Sequence, residues 1–105
     1  MLEIKAYIRP ALVDHVIDAL GRVGGHHGIA VVPVQEYGHA TDDGNGLVRT
    51  EMVKLEINAE ADRVDDIVDR ILSSARSGEG HPGDGIVTVS DLSTARRIED
   101  GRAID

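Results

Sequence analysis

The hydrophobic residues follow the same series of spacing patterns twice along the chain. The first round, residues 2–37, begins with apolar residues at every second position, continues with helical spacing and ends with a second apolar strand pattern. The second round repeats that order at residues 51–58, 61–74 and 86–89. Alternation every two residues predicts a strand with one buried face, and spacing of three and four predicts an amphipathic helix.

Two strand–helix–strand units in 105 residues predict one α+β domain, residues 1–105. The expected fold is a ferredoxin-like βαββαβ sandwich, in which a four-stranded antiparallel sheet carries two helices on one face. The core must be aliphatic, because the chain has no Phe or Trp and only two Tyr. A small core at roughly 25 cal/mol per Å² of apolar surface stabilises modestly. We therefore expect the uncovered face of the sheet to be buried by oligomerisation.

Several residues interrupt these patterns. Gly24 and Gly25 are predicted to end the first helix. Pro33 lies inside the second strand pattern and predicts an edge position, a bulge or an outward-facing nitrogen. Asn45-Gly46 is a hairpin-turn signal, so residues 38–49 are expected to form a protruding loop.

Charge and composition restrict the classes of partner. A formal net charge of −8 argues against binding to nucleic acid or to an anionic membrane surface. No apolar run approaches the roughly 20 residues of a membrane-spanning helix, and there is no cysteine for disulfides or thiol chemistry. With no signal peptide recognised, we expect a cytoplasmic protein without direct membrane insertion. No nucleophile has a recognisable base, so the sequence predicts no enzyme.

Five short segments, read together, are similar to one protein family. They are IRP at 8–10, VQEYG at 34–38, VKLEI at 53–57, SG at 77–78 with GDGIV at 83–87, and ARRIEDG at 95–101. In this order, over the whole chain and with few gaps, they resemble the PII signal-transduction proteins.

The resemblance implies a homotrimer that binds adenine nucleotide in the clefts between subunits. Residues 38–49 correspond to the T-loop, which reports to a regulated partner such as a transporter or an enzyme. Residues 78–85 correspond to the phosphate-binding B-loop, and the segment 91–105 supplies residues 96–101 to the neighbouring subunit. The nucleotide-binding residues implied are Gly28, Ala30, Tyr37, Gly38, His39, Glu56, Gly83, Asp84, Gly85 and Arg97.

The sequence departs from the family pattern at three basic positions. His39, Ile86 and Glu99 stand where the family usually has basic residues, whereas Arg97 is retained. Each charge-assisted hydrogen bond to a phosphate contributes roughly 1.5–3 kcal/mol. We therefore expect ADP or AMP to be favoured over ATP. Ala40 replaces a glutamine used for 2-oxoglutarate, so sensing of that ligand is not expected.

Two further ligands follow from individual side chains. His39, Ala40 and Arg49 are candidates for a small-anion site, with bicarbonate the anion implied by PII relatives that have shortened loops. His39 and His81 lie in the two predicted loops and are candidate metal ligands. The alternative function is thus a trimeric metal-binding protein of the CutA-like or metal-efflux-associated kind, and a third is an interaction module with an empty cleft.

Overall fold

The computed structural model describes residues 1–39 and 46–104, apart from the side chain of His39. Its strands and helices, in chain order, are β1 Leu2–Ile8, α1 Val13–Leu20, β2 His26–His39, β3 Leu47–Ala59, α2 Val64–Ala75 and β4 Gly85–Asp91. The strands form one four-stranded sheet in the order β2-β3-β1-β4, and each neighbouring pair is antiparallel. The predicted ferredoxin-like βαββαβ fold is confirmed.

The hydrophobic core lies between the helices and one face of the sheet. Alternation in β1 buries Ile4, Ala6 and Ile8, which pack in one cluster with residues of β3 and of both helices. The opposite face, with Glu3, Lys5 and Tyr7 in β1, is only partly buried. The one-sided burial that the alternation predicts is therefore present. Leu72 is an exposed apolar residue, because it lies at the margin of α2 beside the edge strand β4.

Each helix is preceded by a 3₁₀ turn, Pro10–Leu12 before α1 and Ala61–Arg63 before α2. The prediction that Gly24 and Gly25 end α1 is wrong, because α1 ends at Leu20. Gly25 has φ +86, and a Cβ there would lie 2.3 Å from Cγ of Arg63. Because Gly25 has no side chain, the Arg63 side chain can lie directly against its backbone.

The β2–β3 hairpin is longer than the sequence pattern predicts. Pairing continues from Pro33↔Val53 through Tyr37↔Arg49 to His39↔Leu47. Pro33 lies in the edge strand β2, as its missing N–H predicts. Because Gly38 has no side chain, the alternation of apolar and polar residues ends there. The backbone pairing of β2 with β3 continues past it.

Candidate functional site

The glycine-rich loop between α2 and β4 has a backbone that only glycine adopts readily. Gly78, Gly80, Gly83 and Gly85 all have positive φ. Gly85 is the most constrained, since a Cβ there would lie 1.7 Å from the carbonyl oxygen of Tyr7. The end of the loop is therefore held directly against the backbone of β1.

The carboxylate of Asp84 organises this loop from within. Its Oδ1 accepts hydrogen bonds from Ser77 Oγ at 2.5 Å and from Arg9 Nε at 3.0 Å. Its Oδ2 accepts from the backbone N–H of His81 at 2.9 Å and of Ser77 at 3.2 Å. Both oxygens are thus engaged by the chain, so Asp84 shapes the loop.

These donors also determine the charge of Asp84. The hydrogen bond from Ser77, the backbone N–H of His81 and the Arg9 guanidinium hold the pKa of this carboxyl well below its usual range. Asp84 therefore stays ionised at neutral pH and is unsuited to act as a general base. The loop is built around a permanent negative charge.

His81 is fixed in the same network. Its Nδ1 lies 2.7 Å from the carbonyl oxygen of Ser77 and 3.1 Å from Ser77 Oγ. Because a carbonyl oxygen only accepts, Nδ1 must donate, and any lone pair for a metal would come from Nε2. The other predicted metal ligand, the side chain of His39, lies outside the described part of the structure. Across residues 1–39 and 46–104, no cluster of three or more His, Cys, Asp or Glu side chains is placed to hold a metal.

Sequence reasoning missed Arg9 as a contact of this loop and did not assign Ser77 a role. Arg9 is 75 residues from Asp84 in sequence and reaches it because Ile8 pairs with Gly85. Only the strand register brings them together, so no local signal identifies Arg9. Ser77 belongs to the SG segment at 77–78, which was available as a signal without indicating that its hydroxyl binds Asp84.

A second group of predicted residues lies on β2 and β3. Ala30 pairs with Glu56 across the ladder, and Gly28 occupies the irregularity between His26 and Ile29 with φ +97. Glu56 forms an ion pair with Lys54 at 3.1 Å. The hydrogen bond that Lys54 donates to the Glu56 carboxylate raises the pKa of Lys54, so Lys54 stays positively charged at neutral pH.

The segment after β4 carries Arg97 in a tight turn. Arg97 N–H donates to the Arg102 carbonyl at 2.8 Å, and Gly101 N–H donates to the Arg97 carbonyl at 2.8 Å. An isolated bridge between Arg96 and Ala103 closes the turn. The Arg97 side chain is exposed and available to a ligand or a neighbouring chain.

The predicted nucleotide-binding residues do not converge within one chain. The loop joins the sheet at Ile8↔Gly85, whereas the segment carrying Arg97 leaves it at Leu2↔Asp91. Six residues of strand separate these ends, about 20 Å at the usual rise. Ala30 and Gly38 lie eight residues apart on β2, about 26 Å at the same rise.

The small-anion candidates are only partly described. Arg49 pairs with Tyr37 in the hairpin stem, and its guanidinium lies 3.8 Å from the Glu51 carboxylate. Ala40 and the side chain of His39 lie outside the described residues. In the described part of the chain no helix is long and apolar enough to cross a membrane.

The whole chain matches one protein family. The family model described as Nitrogen regulatory protein P-II matches residues 1–102. The chain belongs to the PII family. Since PII proteins are signal-transduction regulators and not enzymes, this member is a regulatory protein.

Individual relatives agree with this assignment over nearly their full length. The chain is 34% identical to the Nitrogen regulatory protein P-II of Microchaete diplosiphon, with 96% of this chain and 94% of the relative covered. It is 33% identical to the Nitrogen regulatory protein P-II 2 of Methanothermobacter thermautotrophicus, with 98% and 93% covered. It is also 33% identical to the Nitrogen regulatory protein P-II 1 of Escherichia coli K12, with 100% and 97% covered.

Proposed function

We propose that this PII protein is a homotrimeric sensor that binds adenine nucleotide in the clefts between protomers and controls a partner protein through residues 38–49. ADP and AMP bind more tightly than ATP. The observation that carries the proposal is the glycine-rich loop, which Asp84 holds in a fixed shape with its glycine backbone open to a ligand. Such a backbone lets N–H groups approach a phosphate without interference from side chains.

The position of the loop supports a site shared between protomers. Gly83, Asp84 and Gly85 lie at one end of the sheet, and the segment of Arg97 leaves from the other end. This separation along the sheet suits a site that residues of two different chains complete. The partly buried outer face of the sheet offers the surface through which those chains associate.

The charges near the loop support the preference for ADP or AMP. Ile86 directly follows Gly85 and is exposed, so an apolar side chain stands where the family usually has a cation. Glu99 adds a negative charge two residues after Arg97. The third phosphate of ATP adds negative charge to a site that has lost cations, so ATP is penalised most.

Signalling then works through a change in the relative populations of the conformations of residues 38–49. Nucleotide contacts at Tyr37, Gly38 and His39 favour one arrangement of residues 38–49, which a transporter or enzyme recognises. Arg49, with His39 and Ala40, binds a small anion such as bicarbonate that adds to this preference. The ligand shifts the equilibrium only as far as it binds the two arrangements differently.

Calorimetric titration with ATP, ADP and AMP, each with and without bicarbonate, tests the proposal. We expect about one nucleotide per chain, ADP or AMP at least as tight as ATP, and a trimer mass by light scattering. A bicarbonate effect on nucleotide affinity supports the small-anion site. Absence of binding for all three nucleotides overturns the proposal, and a zinc or copper titration is then the next measurement.

A further inference from the structure

The glycine-rich loop, residues 78–85, contains no Lys or Arg, yet two arginines from other parts of the fold lie against it. Arg9 comes from the end of β1, and Arg76 comes directly after α2. We propose that Arg9 and Arg76 supply the positive charge that binds the first two phosphates of the nucleotide. This inference rests on the proposed function and assigns its phosphate-binding side chains.

Arg9 is held in place along the loop. Its Nε donates to Asp84 at 3.0 Å, and its Nη2 donates to the carbonyl oxygen of Pro82 at 3.2 Å. A Cβ on Gly83 would lie 3.3 Å from Nη2, so glycine at that position leaves space for the guanidinium. Nη1 donates to no acceptor among the described residues, and 39% of the side chain is exposed. An ordered guanidinium with free donors suits a phosphate oxygen.

Arg76 flanks the loop at another point. Its backbone leaves the helix with φ −74 and ψ 132, and a Cβ on Gly80 would lie 3.5 Å from its Cδ. It also lines a cavity of about 100 Å³ between α2 and β4, together with Asp84, Gly85 and Ile86. Within residues 1–39 and 46–104 Arg76 forms no ion pair, so its charge is not already neutralised by a described carboxylate.

The balance of charge favours two cations acting on a diphosphate. Asp84 faces Arg9 but already accepts three other hydrogen bonds, from Ser77 Oγ and from the N–H groups of Ser77 and His81. A phosphate that shares Arg9 therefore leaves Asp84 hydrogen-bonded. AMP offers a single phosphate and ADP offers two, so only ADP uses both arginines. We expect ADP to bind more tightly than AMP.

The test compares ADP, AMP and adenosine on the intact protein, by calorimetry for ADP and by NMR titration for weak ligands. Arg76→Gln and Arg9→Gln should each weaken ADP binding by about tenfold. AMP should lose less, and adenosine should be unchanged. Arg9→Lys keeps the charge but not the planar fork, so it should weaken ADP binding less than Arg9→Gln does. Arg22→Gln, which changes an exposed arginine just after α1, is the matched control and should not change affinity.

Three outcomes overturn the inference. The first is a double variant, Arg9→Gln with Arg76→Gln, that binds ADP as tightly as Arg22→Gln. The second is an equal loss for adenosine and ADP, which means that the arginines only hold the loop. The third is an equal loss for Arg9→Lys and Arg9→Gln. In each case wild-type binding leaves the proposed function intact, whereas a wild type that binds no nucleotide overturns both.

Discussion

Two loops of this protein are held in opposite ways. The glycine-rich loop at residues 78–85 is fixed by side chains: four hydrogen bonds converge on Asp84, one of them from Arg9 in a distant part of the sequence. The described part of the β2–β3 hairpin end is held chiefly by its backbone ladder. Its apolar side chains point outward, with Tyr37, Leu47 and Val48 each more than half exposed.

This difference suits the two loops to different kinds of contact. A loop ordered before binding loses little conformational entropy when a ligand arrives, which favours affinity for a small ligand. Exposed apolar side chains on a paired stem suit contact with another protein. The proposed function accordingly assigns nucleotide phosphates to the first loop and partner recognition to the second.

Gly85→Ala should be the most damaging change. Its Cβ would collide with the Tyr7 carbonyl at a position with φ +112, so strain and steric overlap add. We expect a loss of about 3 kcal/mol in the free energy of unfolding, measured with urea. Gly21→Ala is the control: the Cβ has only ordinary contacts at 3.5 Å, and stability should stay the same or rise slightly. Equal stability of the two variants would contradict the close approach of the loop to β1.

Asp84→Asn should loosen the loop without unfolding the protein. Loss of the charge weakens every hydrogen bond that Asp84 accepts, so amide exchange at residues 78–85 should accelerate by about tenfold. Asp91→Asn is the control and should leave the loop unchanged.

The pH dependence of this loop follows from the lowered pKa of Asp84. Its stabilising effect is complete above about pH 4, the ordinary value for aspartate, and is lost as the pH falls through the lower folded value. Exchange protection, corrected for intrinsic rates, should therefore be flat above pH 5 and decline only in strong acid. A decline between pH 7 and pH 5 would rule out Asp84 as the anchor.

Arg97→Ala should weaken nucleotide binding by about tenfold or more, because under the proposed function it removes a phosphate contact that a neighbouring chain contributes. Stability should be unaffected, since the side chain is exposed. Calorimetry with ADP, with Arg22→Ala as the matched control, measures this effect. Affinity equal to wild type would remove Arg97 from the site.

Replacing both Leu47 and Val48 by Ser should have the smallest effect on the protein itself. Both side chains are exposed, so the free energy of unfolding should change by no more than about 0.5 kcal/mol. ADP affinity should stay within about twofold of wild type. A destabilisation above about 2 kcal/mol would show that the stem is packed in the assembly and is not a free recognition surface.

The fold could be predicted from the sequence with few errors. The alternation of Ile4, Ala6 and Ile8 and the spacing of Ile67 and Ile71 each define a buried face with purely local information. Strand ends were less predictable, because the ladder past Gly38 depends on cross-strand partners and not on apolar pattern. The end of α1 was predicted wrongly because a glycine after a helical pattern usually marks the end of a helix. Gly25 instead leaves room for the side chain of Arg63, which is 38 positions away in sequence.

The candidate site divides in the same way. Composition predicted that residues 78–85 form a glycine-rich loop, and five short sequence segments carried the resemblance to the PII family. Only the tertiary structure showed that Arg9 and Ser77 hold Asp84, and that Arg97 leaves the sheet at the end opposite the loop. The physical reason is range: periodicity and turn chemistry act between near neighbours, whereas the register of β1 against β4 determines which distant charges meet.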